Sequence, residues 1–283
     1  MTYLTIRSAG SGRPIRALGA TVLALGLLPA TTFAQATRTP DVHFVPTPTD
    51  VVDAMLAVAR VGKSDRLYDL GSGDGRIVIT AAKRFGTRGT GIDIDPQRII
   101  ESNRNADTAG VKHLVEFRQA DLFQTDLRDA NVVTLYLLPR LNVQLRPKLF
   151  AELRPGSRVV SHAFDMGDWV ADSTQSLSGR MVYYWMIPAK IEGNWTLTAP
   201  SDGATRSYEL RLTQTYQKLS GTGLTGNRPF VVDSARVLGD SVMFTLAENG
   251  GSERLRFAGR LSNGVLSGAM VGSGGDWRAT RRQ

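Results

Sequence analysis

Cysteine is absent from all 283 residues, which excludes disulfides, a thiolate nucleophile, sulfur-ligated metal centres and a lipid anchor carried on a modified cysteine. Histidine is scarce. His43, His113 and His162 are too few and too dispersed for a zinc cluster, so no metal is expected. The apolar stretch at residues 17–30 has 14 residues, short of the roughly 20 that a membrane-spanning helix needs. A concentrated basic run is missing as well. Lys and Arg outnumber Asp and Glu by 34 to 26 and the pI is near 10.0, yet no five basic residues follow one another. That pattern describes a solvated basic surface, and nucleic acid is not an expected partner.

What is present begins with a leader. Arg7, Arg13 and Arg16 supply a basic region, residues 17–30 an apolar core, and Ala34-Gln35-Ala36 a small-x-small cleavage pattern. Residues 1–36 are therefore expected to be a cleaved signal that exports the chain to the periplasm or beyond. An uncleaved signal would instead be a membrane anchor. Without its three arginines, 31 basic residues face 26 acidic ones, a net charge of +5.

Residues 37–188 alternate between strand-like and helix-like patterns. Thr47 is suited to cap a helix, with Pro48 in its first turn and Val51, Val52, Met55, Leu56 and Ala59 on one face. Short apolar strands are expected at 67–70, 90–94, 114–118, 132–137 and 158–161, and helices at 76–85, 96–109 and 141–153. This rhythm implies a doubly wound, mostly parallel, Rossmann-like sheet with helices on both faces. A hairpin of 170–177 and 181–187, turning at Ser178-Gly179, is expected to close it. After Pro188-Ala189-Lys190 no helical pattern remains. Residues 191–283 show short strand-like runs separated by turns such as Gly221-Thr222-Gly223 and Asn249-Gly250-Gly251, the pattern of a small antiparallel barrel or sandwich. Each segment carries its own set of buried positions, so the two are expected to fold independently.

The informative segment is Asp69-Leu70-Gly71-Ser72-Gly73-Asp74-Gly75-Arg76, which leaves a strand and opens a helix. Dinucleotide sites use G-x-G-x-x-G. Here the spacing is G-x-G-x-G behind an acid, and a carboxylate there suits an ammonium group and repels a pyrophosphate. Amides at the helix start can also bind a polar group. Asp93, 20 residues beyond Gly73, ends the second strand, where an acid can accept from both hydroxyls of a ribose. Asp121, after the third strand, is placed to accept from an adenine amino group. Each acid alone is consistent with an ordinary loop or cap. Together, at successive strand ends, they describe ammonium, ribose and adenine: S-adenosyl-L-methionine.

Residues 45–188 resemble the seven-strand methyltransferases. Within them they resemble the protein-lysine methyltransferases of the mitochondrial ATP synthase c-subunit and adenine nucleotide carrier. The resemblance rests on Phe44-Val45-Pro46-Thr47-Pro48, on the glycine segment, on Gly91-Ile92-Asp93-Ile94-Asp95-Pro96 and on Gly156-Ser157-Arg158-Val159-Val160-Ser161. It implies that the Pro46-Thr47 loop folds over the cofactor and that Asp69, Gly71, Ser72, Gly73, Asp93, Ile94, Asp121 and Leu122 hold it. It also implies a protein acceptor and proximity to a membrane.

Methyl transfer from a sulfonium needs little beyond alignment of donor and acceptor. The candidates for the acceptor side are Tyr136, Asn142, His162 and Asp165. Tyr136 either orients the acceptor or packs on the adenosine. His162 is either a base or a strand-end hydrogen bonder. Asp165 and Asp168 are either loop acids or attractors for a lysine. Where nucleobase-methylating enzymes carry an Asn/Asp-Pro-Pro-aromatic turn, this chain has Tyr136-Leu137-Leu138-Pro139, which argues for an alkyl channel. Three functions remain compatible: methylation of protein lysine, methylation of a small molecule or lipid, and an exported binding protein with a retired methyltransferase domain. In the second segment Gly193-Asn194-Trp195 and Trp277-Arg278 resemble the ends of small lipocalin-like barrels, where a tryptophan and an arginine close one end.

Overall fold

The structure is a computed structural model that describes residues 1–5, 10, 43–201, 203–272 and 274–282. The basic, apolar and cleavage segments of the expected export signal (Arg7, Arg13, Arg16, 17–30 and 34–36) lie outside the described residues.

From Thr49 the elements run α1 (Thr49–Val58), β1 (Arg66–Leu70), α2 (Arg76–Phe85), β2 (Arg88–Asp93), α3 (Pro96–Thr108), β3 (Val115–Gln119), β4 (Val132–Leu135), α4 (Pro139–Glu152), β5 (Arg158–His162), β6 (Ser173–Leu177) and β7 (Arg180–Met186). The sheet order is β3-β2-β1-β4-β5-β7-β6. Strands β1 to β5 pair in parallel, and the β6–β7 hairpin closes one side antiparallel to β5. Central strands such as β4 are buried along their whole length because helices cover both faces. The α2 helix turns Ile77, Val78, Ala81 and Ala82 inward and stops at Gly86 in a left-handed cap. The Asp95 carboxylate caps α3 by accepting from the Gln97 amide at 2.8 Å.

One local expectation fails. Helix α1 begins at Thr49 with Pro48 as its cap, and no side chain caps it. The Thr47 hydroxyl instead faces His162 Nδ1 at 3.3 Å. A tertiary contact has taken the group that local pattern assigned to capping.

The chain continues as β8 (Gly193–Ser201), β9 (Ala204–Thr215), β10 (Lys218–Thr225), β11 (Arg228–Leu238), β12 (Ser241–Glu248), β13 (Arg254–Ser262), β14 (Val265–Met270) and β15 (Asp276–Arg281). These close into an antiparallel barrel, with β15 pairing back on β8. Its interior is filled by side chains, as an eight-stranded barrel permits. The Phe244 and Phe257 rings stack at 4.9 Å, Trp277 meets both edge-on, and Tyr208 meets Phe230 edge-on.

Two expectations for this half are corrected. Gly221-Thr222-Gly223 is no turn but the middle of β10. A Cβ at Gly221 would lie 2.1 Å from the Arg211 carbonyl oxygen, so glycine is needed for close approach of strands beside a bulge. The arginine that closes the barrel end is Arg281, not Arg278: it lies 4.7 Å over the Trp195 ring and donates to the carbonyls of Glu192 and Lys190.

Sheet and barrel belong to one compact unit, Arg38–Gln283, and the seam between them is specific. The Ala189 amide donates to the Gly239 carbonyl at 2.7 Å. At the β9–β10 tip, Tyr216 packs on Phe150 and Trp169 of the sheet half. Arg236 pairs with Asp172, whose side chain is almost fully buried. The barrel has one hydrophobic core and the sheet half two others, and across the seam each half completes polar groups of the other.

Candidate active site

The carboxyl ends of β1, β2, β3 and β4 open onto one cavity. Of the residues expected at the cofactor, Thr47, Asp69, Gly71, Ser72, Asp93, Ile94, Asp121 and Leu122 line it. Pro46 is exposed beside Thr47. Gly73 is sealed from the cavity by Phe44, whose ring would be 2.1 Å from a Cβ at that position.

The glycine turn binds itself. The amides of Gly71 and Ser72 both donate to the Ile92 carbonyl (2.8 and 2.9 Å) and that of Gly75 to the Ser72 carbonyl (2.9 Å). The Gly73 amide donates to Asp93 Oδ2 at 2.8 Å. These amides are therefore not the ligand donors expected of a helix start. A turn whose amides are consumed internally has little to offer a phosphate, and the ligand-facing groups that remain are acids.

Asp69 lies on β1 opposite Gly91 of β2 and Thr134 of β4. Its Oδ1 accepts from the Thr134 hydroxyl at 2.8 Å. Burial pushes its carboxyl up to about 7 against that bond, and the negative charges of Asp93 and Asp74 push in the same direction. Burial likewise raises the Asp93 carboxyl, opposed by its bonds from the Asp95 and Gly73 amides. A buried acid crowded by other acids is completed by a cation. Close by, Ser72 Oγ is buried without a partner among the described residues. An unfilled buried hydroxyl beside a buried acid fits a ligand carrying an ammonium and further polar groups. The residues present thus fit S-adenosylmethionine.

The segment 43–47 folds across this cavity. Arg76 holds it by donating to the Thr47 carbonyl at 2.8 Å while paired with Asp74. Arg98, paired with Glu101, lies 4.9 Å over the Phe44 ring. Arg76 stood in the glycine motif without an assigned task. Nothing local to Arg98 or Thr134 marked them, because each acts on a partner more than 50 residues away.

The acceptor-side candidates separate. Tyr136, just past the end of β4, lines the cavity. Its ring lies 4.0 Å from that of His162 and 6.3 Å from that of Phe164. His162 ends β5 and is buried behind it, and burial pulls its imidazole below the ordinary histidine range. Asn142 is buried in α4, and its Nδ2 donates to Ser161 Oγ and to the carbonyls of Phe164 and Asp165. Asp165 is exposed and accepts from the Gly167 amide at 3.1 Å. Asp168 is taken by Arg146 and the Tyr216 hydroxyl. Neither acid lines the cavity, so the expectation that they attract a lysine there is not met. Of the four, Tyr136 alone reaches it.

The ANTKMT methyltransferase domain matches residues 69–173. A protein-lysine N-methyltransferase of Saccharolobus islandicus is 46% identical over 131 residues, covering 46% of this chain and 81% of that protein. An adenine nucleotide translocase lysine N-methyltransferase of Mus musculus is 34% identical over 57% of this chain and 68% of its own length. A solved structure described as an RNA methyltransferase from Salinibacter ruber, in complex with S-adenosyl-L-homocysteine, is 59% identical, with a TM-score of 0.51, over 52% of this chain and 96% of that one. Each of these three relatives covers about half of the chain. With its glycine turn, its strand-end acids and its covering segment, the chain belongs to the family of S-adenosylmethionine-dependent methyltransferases that contains these protein-lysine N-methyltransferases.

Proposed function

We propose that the chain N-methylates lysine side chains of protein. In this reading Asp69 holds the ammonium of the cofactor's methionine part, Asp93 the ribose hydroxyls and Asp121 the adenine amino side. Ser72 Oγ supplies a further hydrogen bond, and residues 44–47 cover the bound cofactor. When bound, S-adenosylmethionine supplies a methyl group on a positively charged sulfur, activated for in-line displacement. The protein's own part is alignment and exclusion of water. An ε-ammonium has no lone pair, so the lysine gives up its proton to bulk water before transfer, and the aromatic mouth at Tyr136 favours the neutral amine by stripping water from the charge. His162, buried and bonded to Thr47, holds Tyr136 in place and is not the base.

One observation carries lysine over RNA. Five aspartates (Asp69, Asp74, Asp93, Asp95 and Asp121) line the cavity against two arginines, Arg76 and Arg98, so that even with Asp74 and Asp95 paired to those arginines the acids are in excess. That field draws a cation and repels a phosphate backbone. The names of the archaeal and mouse relatives agree with lysine, whereas the name of the Salinibacter protein favours RNA. Incubating the full chain with methyl-labelled cofactor and either a lysine-rich peptide or total RNA separates the two. Label in the peptide supports the proposal, and label in RNA alone overturns it.

The export signal read at residues 1–36 adds a second element: the enzyme acts outside the cytoplasm. Its support is the sequence pattern alone: Arg7, Arg13 and Arg16, the apolar residues 17–30 and Ala34-Gln35-Ala36. Among the described residues no helix is long and apolar enough to cross a membrane. Mass spectrometry of the native protein tests the signal: a start near Gln35 or Thr37 supports it, and an intact Met1 in a soluble cytoplasmic fraction contradicts it.

A further inference from the structure

Residues 163–172 join β5 to β6 with almost no regular structure: a Met166–Trp169 bridge and short bonds such as Gly167 amide to Asp165 are what they make among themselves, and side chains from elsewhere hold much of the rest. Ala163 sits at φ 66, a conformation that a residue with a Cβ keeps only under constraint. The carbonyls that follow accept from side chains anchored elsewhere. Phe164 and Asp165 accept from Asn142 (3.2 and 3.1 Å), Met166 from Arg146 (2.7 Å) and Trp169 from the Trp185 indole (2.8 Å). Val170 accepts from Gln217 at 2.7 Å, and Gln217 belongs to the barrel. Two more barrel groups grip the same stretch: the Tyr216 hydroxyl donates to Asp168 Oδ2 at 2.9 Å, and Arg236 pairs with Asp172.

A second, independent observation concerns the turn that delivers these groups. Tyr216-Gln217 is the two-residue connection between β9 and β10, flanked by the pair Thr215 and Lys218. Such turns favour Asn-Gly because positive φ is needed. Here a tyrosine occupies the strained position, at φ 54. Its ring is stacked on Phe150 (5.6 Å), tilted against Trp169 (6.1 Å) and covered by Arg146 (5.2 Å). The turn is built against its own preference, for the contacts it makes.

We infer that the β9–β10 tip is a brace for the acceptor side of the active site, and that Tyr216 and Gln217 are positioning residues for methyl transfer. The braced stretch contains Phe164, which stacks on Tyr136, and Tyr136 lines the cavity. The barrel thereby sets the acceptor wall and leaves the cofactor side, built from β1 to β3, untouched. Only the choice of acceptor probe rests on the lysine reading proposed above.

The test uses the full chain carrying Tyr216→Ala, Tyr216→Phe or Gln217→Ala, with poly-L-lysine as the acceptor probe. Amide exchange in residues 163–172 should quicken about tenfold or more in Tyr216→Ala. Turnover at saturating probe should fall about tenfold while the cofactor Kd stays within about twofold. Tyr216→Phe, which keeps the ring, should recover most of that turnover. Leu246→Ala, which opens a cavity in the barrel core away from the tip, should keep turnover near the parent value even though it lowers Tm. Equal loss of turnover in Leu246→Ala, or unchanged exchange in Tyr216→Ala, overturns the brace. If Tyr216→Ala does not fold, Gln217→Ala carries the same expectations. If the parent protein transfers nothing to poly-L-lysine, the acceptor reading fails, and the exchange measurement still decides the brace.

Discussion

The two sides of the cavity are built on different principles. The cofactor side is assembled from the ends of β1, β2 and β3, and its acids lie within about fifty residues of one another. Asp93 accepts from the amides of Gly73 and Asp95, Asp121 from the amide of Phe123, and Asp69 from the Thr134 hydroxyl on the neighbouring strand β4. The acceptor side is an irregular stretch held by borrowed side chains, from Asn142 and Arg146 on α4 to Tyr216, Gln217 and Arg236 in the barrel. A cofactor common to many enzymes is bound where the fold itself converges. The partner peculiar to one enzyme is met on the part that other elements must shape.

The comparison breaks most readily at Asp69. Asp69→Asn removes the charge that a cationic ligand would meet, and losing one partner of a buried ion pair costs about 3–5 kcal/mol. Cofactor affinity should fall a hundredfold or more by calorimetry, while amide exchange across 163–172 stays unchanged. An effect on that stretch as large as the effect on affinity would deny that the two sides are separate. Asp93→Ala should cost less, about 1.5–3 kcal/mol or ten- to a hundredfold in affinity. It should also lower Tm, since Asp93 anchors Gly73.

The pH dependence sharpens the same contrast. With its folded carboxyl raised to about 7, Asp69 binds a proton that the cationic ligand must displace. Affinity should therefore weaken by up to about tenfold per unit as pH falls below about 7, and level off above it. The unliganded protein should show the opposite trend. A carboxyl raised on folding stabilises the fold at low pH, and that contribution is lost as pH rises from the ordinary Asp range, 3.8, through about 7. Both slopes should flatten in Asp69→Asn, as read by calorimetry and by denaturant melts at several pH values. Persistence of both slopes in the variant would move their origin to another group.

The legibility of the chain follows the same division. Asp69, Asp93 and Asp121 could be read from spacing because a parallel sheet puts successive strand ends on one edge. The central strands β1, β4 and β5 are readable because burial on both faces writes a continuous apolar signal. Thr47 was misread as a cap because its partner, His162, is 115 residues away. Gly221 was misread as a turn because a glycine that lets strands approach looks, in sequence, like one that bends the chain. Tyr216 carried no signal at all, since its turn violates the local chemistry by which turns are recognised.

The smallest expected effect lies on the acceptor side. Ala163→Gly relieves the left-handed strain at φ 66 but adds disorder to the unfolded chain. The net gain in stability should lie between zero and about 1 kcal/mol by denaturant titration. A clear loss of stability would mean that the turn is not strained, and the need for a brace would weaken with it.

The most direct test of the central claim is a calorimetric titration of the full chain with S-adenosylmethionine at pH 6 in buffers of different ionisation enthalpy. One cofactor should bind per chain in the micromolar range, with release of a proton from Asp69. No heat at millimolar ligand, or equal binding by Asp69→Asn, would contradict the account.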